Sequence, residues 1–124
     1  MIQLRTILNV ADNTGAKQVS MIGLPKSGNR KIAHIGDVIN VVVKKCDPYA
    51  QVKKGEKLSA VIVRTRKEKR RPDGSYIRFD DNACVVLVDK ESKDPKGTRV
   101  FGPISREIKD LGFNKIASLA KEIY

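Results

Sequence analysis

The sequence predicts a mainly β domain whose strands curl into a small barrel, followed by a short helical C-terminal part. Three observations carry this. Val38-Ile39-Asn40-Val41-Val42-Val43, Ala60-Val61-Ile62-Val63 and Ala83-Cys84-Val85-Val86-Leu87-Val88 are β-branched runs bounded by glycine and charged residues. They are largely apolar at both alternate positions, the pattern of strands covered on both faces, as in a small closed barrel. A Gly-acid step also recurs at a period of 19 residues, in Ile35-Gly36-Asp37-Val38-Ile39 and Lys54-Gly55-Glu56-Lys57-Leu58. Each copy leads into an apolar strand, so the step reads as a turn used twice in a meander.

The remaining elements follow in chain order. Weaker strands are predicted at residues 6–10, 18–24 and 98–101. After the second strong run, Arg71-Pro72-Asp73-Gly74 has turn chemistry, because proline presets the backbone and glycine tolerates the exit. Ser75-Tyr76-Ile77-Arg78-Phe79 then alternates like a strand, so residues 64–79 are expected to form a two-stranded ribbon with an unanchored tip. Residues 89–97 balance three acids with three bases and read as a solvated loop. Ser105 is placed to cap a helix running to Leu111, with Gly112 stopping it. Asn114 is placed to cap a second, in which Ile116, Leu119, Ala120 and Ile123 form an apolar stripe. The expected organisation is one domain, with a barrel and ribbon over 1–103 and helices over 104–124. At 124 residues and 40% hydrophobic content the chain can build a core without metal or disulfide staples.

Charge supplies the functional signal. Lys and Arg number 25 against 14 Asp and Glu, a net charge of +11. Residues 17–78 hold 16 cations and 5 acids, whereas the rest of the chain holds nine of each, so the whole imbalance lies in that stretch. A general solubility charge has no reason to segregate in this way; a surface meeting a polyanion does. The densest segment, Arg64-Thr65-Arg66-Lys67-Glu68-Lys69-Arg70-Arg71, has six cations and one anion. Aromatic content is 5% with no tryptophan, which disfavours a platform for stacking single-stranded bases and favours folded RNA read through phosphates and shape. Composition alone does not separate RNA from DNA.

Other classes fall away. No apolar run approaches the roughly 20 residues that span a bilayer, and Met1-Ile2-Gln3-Leu4-Arg5 lacks a secretion-signal layout. Cys46 and Cys84 are expected to be reduced thiols of a cytosolic protein. With His34 they are too scattered for a zinc site. His34 is the sole histidine, Asp80 and Asp81 point to opposite faces of any strand, and no phosphate-cradling loop occurs. No catalytic residue, metal site, cofactor or small-molecule substrate is expected.

Several blocks resemble one family. They are Leu8-Asn9-Val10-Ala11-Asp12-Asn13-Thr14-Gly15-Ala16, Ala60-Val61-Ile62-Val63, Arg70-Arg71-Pro72-Asp73-Gly74, Ile77-Arg78-Phe79-Asp80, Asn82-Ala83-Cys84 and Gly97-Thr98-Arg99-Val100-Phe101-Gly102-Pro103. Together they are similar to bacterial large-subunit ribosomal protein fourteen, from Met1 to about Ala120. The resemblance implies a five-stranded barrel with a projecting basic β-ribbon and a small helical C-terminal part. It implies a non-catalytic place on the large ribosomal subunit in the cytoplasm, bound to large-subunit rRNA and bridging to small-subunit rRNA. Implied neighbours are large-subunit proteins three and nineteen and the ribosomal silencing factor. The rRNA contacts expected on this reading are Lys17, Arg30, Lys31, Lys53, Lys54, Arg64, Arg66, Lys67, Lys69, Arg70, Arg71 and Arg78. Lys44, Lys45, Thr98, Arg99 and Lys115 would face the small subunit or the silencing factor, while Asn13 and Gly15 shape a turn. Three positions depart from the family pattern. Lys121 replaces a common proline, so the last helix is expected to run on; Tyr49-Ala50 lacks a common glycine; and Gln18 stands where a basic residue is frequent. The alternative is a dissociable nucleic-acid-binding barrel acting as a translation accessory factor.

Overall fold

The computed structural model describes residues 2–25, 31–89 and 91–124. Among these, β1 (Ile7–Val10), β2 (Ala16–Gly23), β3 (Val38–Cys46), β4 (Lys57–Arg64) and β7 (Ala83–Leu87) close a barrel in the order β1-β2-β3-β4-β7. Neighbours run antiparallel except β1 and β7, whose parallel pairing of Asn9 with Ala83 and Val10 with Cys84 seals the barrel. β5 (Lys69–Arg70) and β6 (Tyr76–Ile77) form a separate two-stranded ribbon inserted between β4 and β7. Two short helices follow, α1 (Arg106–Asp110) and α2 (Asn114–Leu119).

The apolar runs sit where their pattern predicts. On β3, Ile39, Val41 and Val43 are buried and the residues between them are more exposed. β7 is buried along its whole length, as is Ala60–Val63 within β4. Both parities are buried there because the C-terminal segment joins the same core: Ile104, Ile108 and Ile116 belong to it, and the Ser105 N–H donates to the Val63 carbonyl at 3.3 Å. Each such aliphatic side chain contributes about 1.5–3 kcal/mol of burial.

The repeated Gly-acid step is one turn built twice. Gly36 and Gly55 both have positive φ, at 91° and 86°. The Asp37 carboxylate accepts the His34 N–H at 2.7 Å, and Glu56 accepts the Lys53 N–H at 3.0 Å. The Gly36 N–H then donates to Ile62 and the Gly55 N–H to Val43, so each turn is stitched to the partner strand of the β3–β4 pair.

The loop after β1 is organised by two side chains. Buried Asp12 accepts the Thr14 N–H and hydroxyl through Oδ1 and the Val86 N–H through Oδ2. Asn13 Oδ1 accepts the Thr98 and Arg99 N–H groups at 2.8 and 3.1 Å. That explains why the predicted strand at 98–101 does not form: a side chain takes its first two donors, and what pairing remains is the bridge of Val100 to Asp12, with the Phe101 N–H donating to Ala11.

The helical tail differs from expectation in two respects. Asn114 is the first residue of α2, and Phe113 occupies the cap position. The helix also stops at Leu119 and does not run on through Lys121. The chain turns extended at Ala120 because the segment beyond pairs with Ile104: the Ile104 N–H donates to Glu122 and the Tyr124 N–H to Ile104. Ile123 is consequently part of a strand-like bridge, not of a helical stripe.

Glycine substitutions test this architecture. Gly15 has φ +98° and a Cβ there would overlap Ala50, whereas Gly55 at φ +86° has open space around it. Gly55→Ala should cost about 1–2 kcal/mol of backbone strain. Gly15→Ala adds overpacking and should cost about 2–5 kcal/mol in urea denaturation.

Candidate nucleic-acid interface

The ribbon is held at its base by hydrogen bonds. The Arg66 N–H donates to Asn82 Oδ1 at 2.8 Å, the Phe79 N–H donates to the Thr65 carbonyl at 3.0 Å, and the Thr65 hydroxyl donates to Lys67 at 3.0 Å. At the tip, Asp73 accepts both the hydroxyl and the N–H of Ser75, which hold its carboxyl below the usual carboxylate range. Arg66, Lys67, Arg70 and Arg78 are exposed and Lys69 is half-buried. Lys67 pairs with Glu68 at 2.8 Å, and this hydrogen bond lowers the Glu68 carboxyl, with the Arg78 charge contributing. Lys67, Lys69 and Arg70 line a groove of about 600 Å³ against His34, Asp37 and Leu111.

Two arginines expected on this exposed surface are placed inward. Arg64 Nε lies 3.1 Å from Asp81 Oδ1 without hydrogen-bond alignment, and its Nη1 donates to the carbonyls of Phe101 and Pro103 at 3.0 and 3.2 Å. Its side chain is only 11% exposed, and Gly102 lacks the Cβ that would collide with the guanidinium. Arg71 Nε donates to Glu107 Oε1 at 2.7 Å, with both side chains under one-fifth exposed. Its Nη2 also reaches the Ser105 hydroxyl and the Tyr124 main-chain oxygen. Ser105 therefore serves Arg71 and makes no side-chain cap bond to α1. Both arginines hold the fold together, and Arg71 anchors the ribbon turn that was expected to be unanchored.

A second group of cations lies at the far end of the β3–β4 pair. Lys44 and Lys45 end β3, Lys53 and Lys54 occupy the turn, and Lys57 begins β4. All five are exposed, and Lys17 approaches them through its ion pair with Asp47 at 3.7 Å. Seven strand steps of about 3.3 Å put Lys57 roughly 23 Å from Arg64, so the cations form two clusters at opposite ends of the barrel. Lys57 is not among the contacts expected from the sequence, where its place between the Gly-acid turn and an apolar strand is the signal that marks it. Tyr49, at the same end, is fully exposed.

Other expected positions scatter. Thr98 and Arg99 are exposed beside Asn13, and the same loop joins the lysine end through Asp47 N–H to Gly15 and Gln51 N–H to Thr14. Lys115 pairs with Asp94 at 3.4 Å. Lys31 is exposed on a more apolar groove with Leu4, Ile22 and Leu24. Arg30 lies outside the described residues. Asn13 and Gly15 shape a turn as expected.

Among the described residues no nucleophilic site assembles. His34 lies in the turn before β3 and Cys46 is the last residue of that nine-residue strand, so the strand's length of roughly 26 Å lies between the turn and the thiol. Both cysteines are free. Burial, reinforced by the Asp12 charge and opposed by Arg64, pushes the Cys84 thiol far up.

Over residues 1–124 the sequence matches the family described as Ribosomal protein L14p/L23e. It is 58% identical over 123 residues to large ribosomal subunit protein uL14 of Aquifex aeolicus, covering 99% of both chains. The uL14 of Aquifex pyrophilus shows the same identity and coverage.

Two tests follow from the geometry. Arg64→Ala and Arg71→Ala should each lose about 2–4 kcal/mol of stability in urea titration, because a charge partner is stranded in a half-buried site. Arg66→Ala and Arg70→Ala should change it by less than about 0.5 kcal/mol. In native protein at pH 8, iodoacetamide should modify half-buried Cys46. Cys84, raised by burial and so kept as the unreactive thiol, should react only after unfolding, as mass spectrometry would read.

Proposed function

The chain belongs to the Ribosomal protein L14p/L23e family, and from this premise we propose that it binds large-subunit rRNA through its exposed ribbon cations and the turn lysines Lys53 and Lys54. As a member it is a structural constituent of the large ribosomal subunit, in the bacterial cytoplasm, and is not an enzyme. The observation that carries RNA binding is the separation of charge. Arg66, Lys67, Lys69, Arg70 and Arg78 at the ribbon, and the lysines around the β3–β4 turn, face outward with few acids among them. Asp81 and Glu107 are instead engaged with Arg64 and Arg71. Such cations position a protein on RNA by contacting phosphates, and each duplex phosphate neutralised releases condensed counterions.

Two clusters on one rigid barrel suit a protein fixed between separate RNA segments. Lys44, Lys45, Thr98 and Arg99 border connected loops at one end and are the face proposed for small-subunit rRNA or for the ribosomal silencing factor, which Lys115 on α2 is proposed to contact as well. Large-subunit proteins three and nineteen are the proposed protein neighbours. Support for these partners comes from the family resemblance, with the shared position of the four loop residues favouring a single face.

Engagement of six to ten phosphates makes affinity for large-subunit rRNA fall by roughly 10³–10⁵ between 50 and 200 mM salt. A titration showing less than about tenfold loss would overturn phosphate-dominated binding. Once assembled, the chain should stay with large subunits through a gradient at about 0.5 M salt, because its release from the folded particle is slow compared with sedimentation. Loss there would favour the dissociable accessory factor.

A further inference from the structure

We infer that Arg71 is a positioning residue for RNA binding: its pairing with Glu107 clasps the basic ribbon to the C-terminal segment and sets the direction in which the free cations point. This rests on the RNA-binding reading above and adds a role for a residue whose guanidinium is engaged with the protein itself. The ribbon has two paired residues on each side, Lys69 with Ile77 and Arg70 with Tyr76. A hairpin that short has little stability of its own, and neighbouring cations repel within it. Arg71 stands at the first position of its turn, where its N–H donates to Ser75 at 2.8 Å and its carbonyl accepts the Gly74 N–H at 3.0 Å. From that point its guanidinium reaches Glu107 on α1, the Ser105 hydroxyl and the Tyr124 main-chain oxygen. Tyr124 is itself tied to Ile104 by a main-chain hydrogen bond at 3.0 Å. Two parts of the chain, the start of α1 and Tyr124, thus converge on one side chain at the outer end of an otherwise weak ribbon.

The clasp makes a prediction whose sign opposes simple electrostatics. Removing the Glu107 charge from a basic protein should strengthen its attraction to RNA if Glu107 acts only as an anion. If the pair orients the ribbon, the same change weakens binding, because apparent affinity falls with the fraction of molecules in the competent arrangement.

The experiment compares Glu107→Gln, Arg71→Ala and Arg70→Ala with the unaltered full chain, using a large-subunit rRNA transcript as probe and titrating salt. Glu107→Gln and Arg71→Ala should each weaken binding about three- to tenfold, with the slope of log affinity against log salt unchanged. Arg70→Ala should lower that slope by about 0.9, as the loss of one phosphate contact requires. Hydrogen exchange on the free proteins should show the Arg71 and Gly74 amides deprotected in Glu107→Gln while β4 amides stay protected, which separates ribbon release from unfolding. Unchanged or tighter binding by Glu107→Gln, or a reduced slope for Arg71→Ala, overturns the clasp. Failure of the unaltered chain to bind the transcript overturns the RNA reading instead, and the exchange measurement then decides the clasp alone.

Discussion

The pairing of Arg64 with Asp81 and of Arg71 with Glu107 governs where the other ribbon residues can go. Both arginines come from the most cationic segment of the chain, and both acids lie outside the stretch that carries the charge imbalance. Taking a guanidinium out of water costs several kcal/mol unless a carboxylate and further acceptors meet it. Here each meets a carboxylate and main-chain oxygens together. Arg64 anchors the base of the ribbon to the 101–103 segment, and Arg71 anchors its turn to α1 and the final residues. Between these fixed points Arg66, Lys67 and Arg70 are left exposed.

The barrel supplies the rigidity that such an arrangement needs. Its two Gly-acid turns use one solution twice: a left-handed glycine, a carboxylate reaching back three residues, and an amide stitched to the neighbouring strand. The Asp12 carboxylate joins the loop after β1 to Val86 on β7, beside the parallel pairing that closes the sheet. The buried hydrogen bonds to Asp12 are worth about 1.5–3 kcal/mol each, and with the exposed turn bonds they hold the two ends of the barrel together.

The separation of the two cationic ends has a consequence for recognition. A flexible basic tail neutralises phosphates but loses entropy on ordering, whereas cations on a folded body meet RNA already arranged. Lysines dominate at one end and arginines at the ribbon. Lysine acts as a compact point charge, while arginine presents a planar fork that binds phosphate in two places. The two ends therefore differ in the phosphate geometry they can accommodate.

Local pattern alone determined the β class, the strong strands, the repeated turn, the ribbon and the segregation of charge, because period-two burial and turn chemistry are properties of adjacent residues. Contacts between residues distant in the chain decided the rest. The segment at 98–101 lost its strand to Asn13, 85 and 86 residues before the amides it binds. The last helix ended early because Ile104 offered its successor a partner. Arg64 and Arg71 look like their neighbours in a basic run; only the fold brings Asp81 and Glu107 to them. A charge shows in the sequence, but whether it faces solvent or a carboxylate depends on what the tertiary structure places beside it.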